Sequence, residues 1–207
     1  SFIGKINSDK FGNLYKKSLE DIDVNFSYIK KNESLPTGAS IILITPDSER
    51  TMCTYLGISS HLSINDIEAN SILNQELIFL EGYLWDKGES EKMFKHAINI
   101  AKSHKIKISM SLSDIFCVKR HKKDFYNLLK NDLDILIGNE NEINELTGKK
   151  NLIESINELK ELDRVEIKFK NSIDLLDQVK AACFSCGDEV KAQMKKYGFI
   201  ITEQEGI

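Results

Sequence analysis

Proline is almost absent from this chain: Pro36 and Pro46 are the only two in 207 residues. No long Ser/Gly/Pro-rich stretch is present either, so a flexible linker between separate modules is excluded. No apolar run approaches the ~18 residues that mark a transmembrane helix, and no signal peptide is visible. An excess of positive charge is also missing. The 28 Lys and Arg are offset by 32 Asp and Glu, for a net charge of −4, which disfavours a general nucleic-acid or membrane-surface role. There are no internal repeats. Position 1 is Ser rather than Met, and FIGKI follows at once as a strand already under way. The expectation is that upstream sequence is missing.

What remains is a globular composition, 41% hydrophobic and 29% charged, enough for one large domain or two small ones. The four cysteines are Cys53, Cys117, Cys183 and Cys186. The first two lie in apolar segments and read as small core residues. Cys183-Phe184-Ser185-Cys186 is a lone CxxC; a zinc site needs a second ligand pair, and His61, His96, His104 and His121 have no matching spacing. A redox pair in the tail remains the alternative. A reduced, cytoplasmic chain is the default expectation.

The periodicity alternates between strand and helix. Residues 1–6 read as a strand. Residues 8–22 read as a helix capped by Ser8 or Asp9, with Phe11, Leu14, Tyr15, Leu19 and Ile22 at apolar positions. Residues 24–31 are a further strand candidate. GASIILI and RTMCTYLG, joined by Thr45-Pro46-Asp47-Ser48, form a hairpin with a charged tip. ELIFLEGYL, 76–84, is a continuous apolar run expected of a strand buried on both faces. Helices are expected at 89–105, 122–131, 141–148 and 151–162, with Gly148 as a C-cap. Strands are expected at 106–114, 133–140 and 165–169. SIDLLDQVKAA and GDEVKAQMKKYG read as helices and FIITEQ as a strand, less clearly patterned than the rest.

Repeated β-α-β units predict an α/β fold with a parallel sheet and helices on both faces. Such sheets bind ligands beyond the carboxyl ends of their strands. That rule selects three loops: EGYLWD (81–86), SLSDIF (111–116) and GNENE (138–142). All carry acids or amides after an apolar strand, which points to a polar ligand but names no reaction.

FIGKINSDKFG, TGASIILITPDSERTMCTYLG, LIFLEGYLWD, SLSDIFCVKRHKKDF and DILIGNENEINELTG follow one another in an order and spacing that resemble the PfkB/ribokinase family of sugar and nucleoside kinases. The resemblance covers roughly 1–150 and is closest to the adenosine-kinase-like bacterial branch. It implies a ribokinase-like parallel sheet flanked by helices, with a β lid hairpin at about 36–57 that closes over the substrate and excludes water from phosphoryl transfer. It implies ATP and Mg²⁺ as cofactors and a small sugar or nucleoside as substrate, with no nucleic-acid or membrane partner. A homodimer through the lid is an oligomer the resemblance allows. GNENE carries the family's N-x-x-E pattern, which makes Asn139 and Glu142 the phosphate and Mg²⁺ pair, Glu142 acting through water. Asp114 is similar to a polar residue near the phosphates in relatives. Thr54 and Tyr55 lie on the returning lid strand, on the substrate side. Each has a plainer alternative: helix cap and dipole partner for Asn139 and Glu142, N-cap or loop acid for Asp114, exposed hairpin for Thr54 and Tyr55. Arg120 is a phosphate-neutralising candidate or an ordinary surface residue.

The chain departs from the family pattern at both ends. The early Asp and Gly-Gly segment that bind sugar hydroxyls in the family have no counterpart. Near the C-terminus the family carries D-T-x-G-A-G-D, an anion hole and general base. The nearest match is FSCGDEV, 184–190, where only Gly187-Asp188 agree. Asp188 is a weak candidate base with an N-cap as its alternative. The chain thus reads as a central kinase portion, 1–162, followed by a divergent tail, 163–207. The two functional expectations are a kinase acting on a hydroxymethyl group and a nucleotide-binding or interaction remnant without chemistry.

Overall fold

The computed structural model describes residues 1–27, 34–47, 49–86, 89–162 and 165–169. The expected elements beyond 170, together with Asp188, Cys183 and Cys186, lie outside the described residues. So does the part of 24–31 that follows Ser27.

The first strand is short. β1, Phe2–Ile3, pairs in parallel with β2, Phe26–Ser27. The expected run to residue 6 does not form, because the following polar groups turn to other partners. Lys5 Nζ reaches the His61 carbonyl at 3.1 Å. Asn7 donates its N–H to Thr37 Oγ1 at 2.9 Å and its side-chain amide to the Leu35 carbonyl at 2.7 Å. Between the two strands runs α1, Lys10–Glu20, whose N-cap is Asp9 rather than Ser8. The Asp9 carboxylate accepts from Gly12 N at 2.8 Å and from Thr37 N at 2.7 Å. One side chain thereby caps a helix and anchors the foot of the hairpin.

The hairpin is β3, Ala39–Ile44, and β4, Arg50–Tyr55, antiparallel from Ala39↔Tyr55 to Ile44↔Arg50. Asp47 organises its tip by accepting from the Thr45 hydroxyl and from Glu49 N. Both faces are exposed: Ile41, Ile42, Leu43 and Ile44 are 68%, 49%, 55% and 70% accessible. Cys53 is exposed with them, contrary to the core position expected from its apolar neighbours. Strand alternation buries one face only where another layer covers it.

A 3-10 turn at Gly57–His61, another at Ile64–Asp66 and the short helix α2, Ala69–Leu73, lead to the main sheet. β5, Leu77–Glu81, β6, Lys107–Ser111, β7, Ile135–Gly138, and β8, Glu166–Phe169, are parallel and adjacent in chain order. β8 lies past residue 162 and pairs Phe169 with Gly138. The connections are α3, Ser90–Ser103, α4, Ile115–Asn131, and the pair α5, Glu140–Thr147, and α6, Leu152–Lys160. α4 starts seven residues before the expected helix at 122, because Asp114 caps it. The helices bury Phe94, Phe125, Leu129, Ile143 and Leu146 against Ile108, Met110, Leu112 and Leu136, each at most 1% exposed. Each such side chain contributes about 1.5–3 kcal/mol.

β5 differs from the expectation of burial on both faces. It ends at Glu81, and residues 82–86 wind into a 3-10 turn. Among the described residues β5 is an edge strand, and Phe79 is 52% exposed. An apolar groove runs between Ile3 of β1 and Ile78, Phe79 and Leu80 of β5. No helix among the described residues is long and apolar enough to cross a membrane.

Candidate functional site

The carboxyl ends of β5, β6 and β7 are neighbours, because these strands pair in register. The last of them carries the best-defined polar pair. Asn139 is the N-cap of α5, and Glu142 is its N3 residue. Asn139 Oδ1 accepts from Glu142 N at 2.9 Å. Glu142 Oε2 accepts from Asn139 N at 3.1 Å, and its Oε1 accepts from Asn139 Nδ2 at 2.9 Å. This is a capping box with one additional bond. Glu142 is 2% exposed, a rare position for a carboxylate unless it is well partnered. Gly138 makes room for it: a Cβ there would lie 2.9 Å from Leu112 Cδ1 and 3.3 Å from Glu142 Oε2. Gly148 ends α5 at φ +79°, the left-handed C-cap read from the sequence.

The loop after β6 begins with Leu112 N donating to the Ile137 carbonyl at 2.9 Å. Ser113 then takes φ +71°, and its hydroxyl donates to Glu81. Asp114 follows as the N-cap of α4, accepting from Cys117 N at 2.6 Å. One of its carboxylate oxygens is therefore committed to the helix. Tyr83 stands beside Asp114; burial first, then the hydrogen bond to that carboxylate, pushes its hydroxyl far above the usual tyrosine range.

The loop after β5 holds a cluster not anticipated from the sequence. Asp86 accepts from Arg120 Nε at 2.9 Å and Arg120 Nη2 at 2.5 Å, and meets His121 Nε2 at 2.6 Å. Asp86, Cys117 and His121 bring a carboxylate oxygen, a thiol and an imidazole nitrogen within 4.8 Å of one another. By residue type the trio suggests a metal site or a nucleophilic triad. Neither fits. A divalent cation would have to displace the guanidinium that holds Asp86. Cys117 is fully buried, its Sγ lies 3.4 Å from the Gly82 carbonyl, and burial pushes its thiol up to about 12. A reactive thiol needs the opposite environment.

The structure thus brings Asn139 and Glu142 together and sets Asp114 on the adjoining strand end. Arg120 is ion-paired to Asp86. Thr54 and Tyr55 stand apart on β4; the Thr54 hydroxyl bonds Ser40 Oγ at 2.8 Å and Tyr55 is 53% exposed. Sequence reasoning missed Glu81, Asp86, Ser113 and His121 as interacting groups. The terminal Asp of EGYLWD was the one visible sign. The adjacent Arg120-His121 gave none, because neighbours in a regular helix diverge by about 100°.

Comparison with known proteins follows the same outline. A 5-dehydro-2-deoxygluconokinase of Clostridium perfringens is 27% identical over 157 residues, which is 71% of this chain and 45% of that protein. The crystal structure of adenosine kinase from Sinorhizobium meliloti superposes with a TM-score of 0.74 at 28% identity, covering 81% of this chain and 52% of that one. A probable sugar kinase from Rhizobium etli CFN 42 gives 0.74 and 28%, covering 81% and 51%. The chain therefore spans about half the length of the relatives it matches. The family model of the pfkB family carbohydrate kinases matches residues 1–170, and the chain belongs to that family.

Proposed function

We propose that this chain carries the phosphate-binding part of an ATP- and Mg²⁺-dependent kinase that phosphorylates a hydroxymethyl group on a sugar or nucleoside, adenosine-like in class. The observation that supports it most is the Asn139–Glu142 box, with Glu142 buried, at the carboxyl end of β7, beside the loops that end β5 and β6. Its donors are hard oxygens, the kind Mg²⁺ takes, usually keeping several waters. Both Glu142 oxygens already face Asn139, which suits a water-mediated hold rather than direct ligation. Mg²⁺ bound there would neutralise phosphate charge. Asp114, Thr54 and Tyr55 are proposed to line the phosphate and substrate sides, and Asp188 is the proposed base. Relatives named for adenosine and for a deoxy sugar acid support the substrate class and leave its members open.

A second reading is nucleotide binding without transfer. It is favoured by FSCGDEV, which retains only Gly187-Asp188 of the family's anion-hole and base pattern. The test is transfer of labelled γ-phosphate from ATP, with Mg²⁺, to a panel of nucleosides and sugars by the 207-residue chain. Labelled product that disappears with Asp188→Asn supports the kinase. Retained ATP binding without product supports the second reading.

A further inference from the structure

We propose that Asp86 is a positioning residue: with Arg120 and His121 it fastens the turn after β5 to α4, so that the loops ending β5 and β6 act as one body at the ligand edge. The structural claim stands alone, and its consequence for phosphoryl transfer rests on the kinase reading above.

The argument begins with a helix that breaks its own rule. Arg120 and His121 are consecutive in α4, and regular geometry would point them about 100° apart. His121 leaves the helical region, at φ −117° and ψ 20°. Both side chains then reach the same carboxylate, at 2.5–2.9 Å from the guanidinium and 2.6 Å from the imidazole. The irregularity thus accompanies a convergence that the 100° divergence of a regular helix disfavours. The Asp86 and His121 side chains are 22% and 19% exposed and Arg120 is 50% exposed. An Arg fork on a partly buried carboxylate is among the stronger surface interactions. The Arg120 guanidinium, against the opposing effect of burial and with help from His121, holds the Asp86 carboxyl below its usual range. The tie is therefore charged at neutral pH.

At its other end the same turn is fixed by independent contacts. Tyr83 N donates to Ser113 Oγ at 3.0 Å, Ser113 donates to Glu81, and the Cys117 thiol meets the Gly82 carbonyl. A Cβ on Gly82 would lie 2.6 Å from the Ser111 carbonyl oxygen, so the backbones are in direct contact. The turn is thereby clamped at residues 81–83 and again at 86. At the first clamp Tyr83 stands beside Asp114, the N-cap of α4. The clamp sets where those two groups stand relative to each other.

Trp85 reports on the clamp. It is the chain's single tryptophan, 9% exposed, with its ring edge-on to Phe94 at 5.0 Å and Phe125 at 5.8 Å. In Asp86→Asn, acrylamide quenching of Trp85 should rise. Amide-exchange protection over 82–86 and 112–117 should fall together by about tenfold or more, as expected when a charge-assisted hydrogen bond is lost. Protection in β6 and β7 should stay at the wild-type level, and Asp86→Glu should recover part of the effect. Wild-type quenching and protection in Asp86→Asn overturn the proposal, and so does a loss spread evenly over all strands. If Asp86→Asn does not fold, Arg120→Gln carries the same measurement, since that side chain is half exposed. In a transfer assay the expected signature is a fall in kcat that exceeds the change in KM. A wild-type chain that transfers no phosphate sinks the kinase reading, while the clamp is still decided by quenching and exchange.

Discussion

Asn139 and Glu142 hold each other at the end of β7 through three hydrogen bonds between 2.9 and 3.1 Å. The same pair caps α5 and is the proposed Mg²⁺ and phosphate pair, so structure and function must be separated by the choice of variant. Glu142→Gln retains a residue able to complete a capping box but removes the charge. Its stability should fall by about 1–3 kcal/mol, because the new amide nitrogen faces an Asn139 donor, while Mg²⁺-dependent ATP binding weakens beyond what that loss explains. Asn139→Ala removes the cap and should cost about 1 kcal/mol on its own. Urea unfolding and ATP titration with and without Mg²⁺ check both; unchanged binding in Glu142→Gln would remove this carboxylate from the site.

Lys5 and Asp66 form a 3.4 Å ion pair whose side chains are only 7% and 4% exposed. Asp66 also accepts from Ser63 N and Oγ, and its Oδ1 has no hydrogen-bond partner among the described residues. Lys5→Met would leave a buried, under-solvated carboxylate and should cost about 3–5 kcal/mol, measured by chemical denaturation. Asp66→Asn in the same background should recover part of that loss.

The pH dependence of this pair has a definite sign. Burial works to raise the Asp66 carboxyl, but the Ser63 hydrogen bonds and Lys5 outweigh it and hold it below 3.8. A depressed native pKa gives stability that is present above 3.8 and is lost as pH falls through the lower native value. The stability difference between wild type and Asp66→Asn should therefore be steady from pH ~7 to ~5 and shrink below about 4. A difference that grew toward acid pH would contradict the assignment.

Gly57 sits at the foot of the hairpin with φ +54°, and a Cβ there would collide with the Pro36 carbonyl oxygen. That carbonyl accepts from Ile58 N at 2.9 Å, closing the hairpin's base. Gly57→Ala should cost about 1–2 kcal/mol and expose the amides of β3 and β4 to faster exchange. Protection equal to wild type would show that the base tolerates a different backbone.

The hairpin exposes Ile42, Ile44 and Met52 on one face and Ile41 and Leu43 on the other. Contiguous apolar surface of this kind promotes association. If copies pair through this hairpin, Ile42→Lys with Ile44→Lys should shift sedimentation toward monomer without lowering the unfolding midpoint. Unchanged sedimentation of an associating wild type would place the contact elsewhere.

Much of the sheet was legible in the residues. Strands and helices from 77 to 160 announced themselves by periodicity, and Asn139 by its place between an apolar strand and an amphipathic helix. The errors had local causes. The first strand stopped early because Lys5 and Asn7 found partners far along the chain. Cys53 was misplaced because apolar neighbours on a two-stranded ribbon do not guarantee a covering layer.

The sequence by itself determined the family, the parallel α/β order and the pairing of Asn139 with Glu142. Those signals act over short range: side-chain period, cap residues and a spacing of one helical turn. Only the tertiary structure decided that Glu142 is buried, that Phe79 is not, and that Asp86 gathers Arg120 and His121. Burial depends on which elements pack above a residue. The Asp86 contacts join positions 34 and 35 residues apart through a helix irregularity that no local propensity encodes.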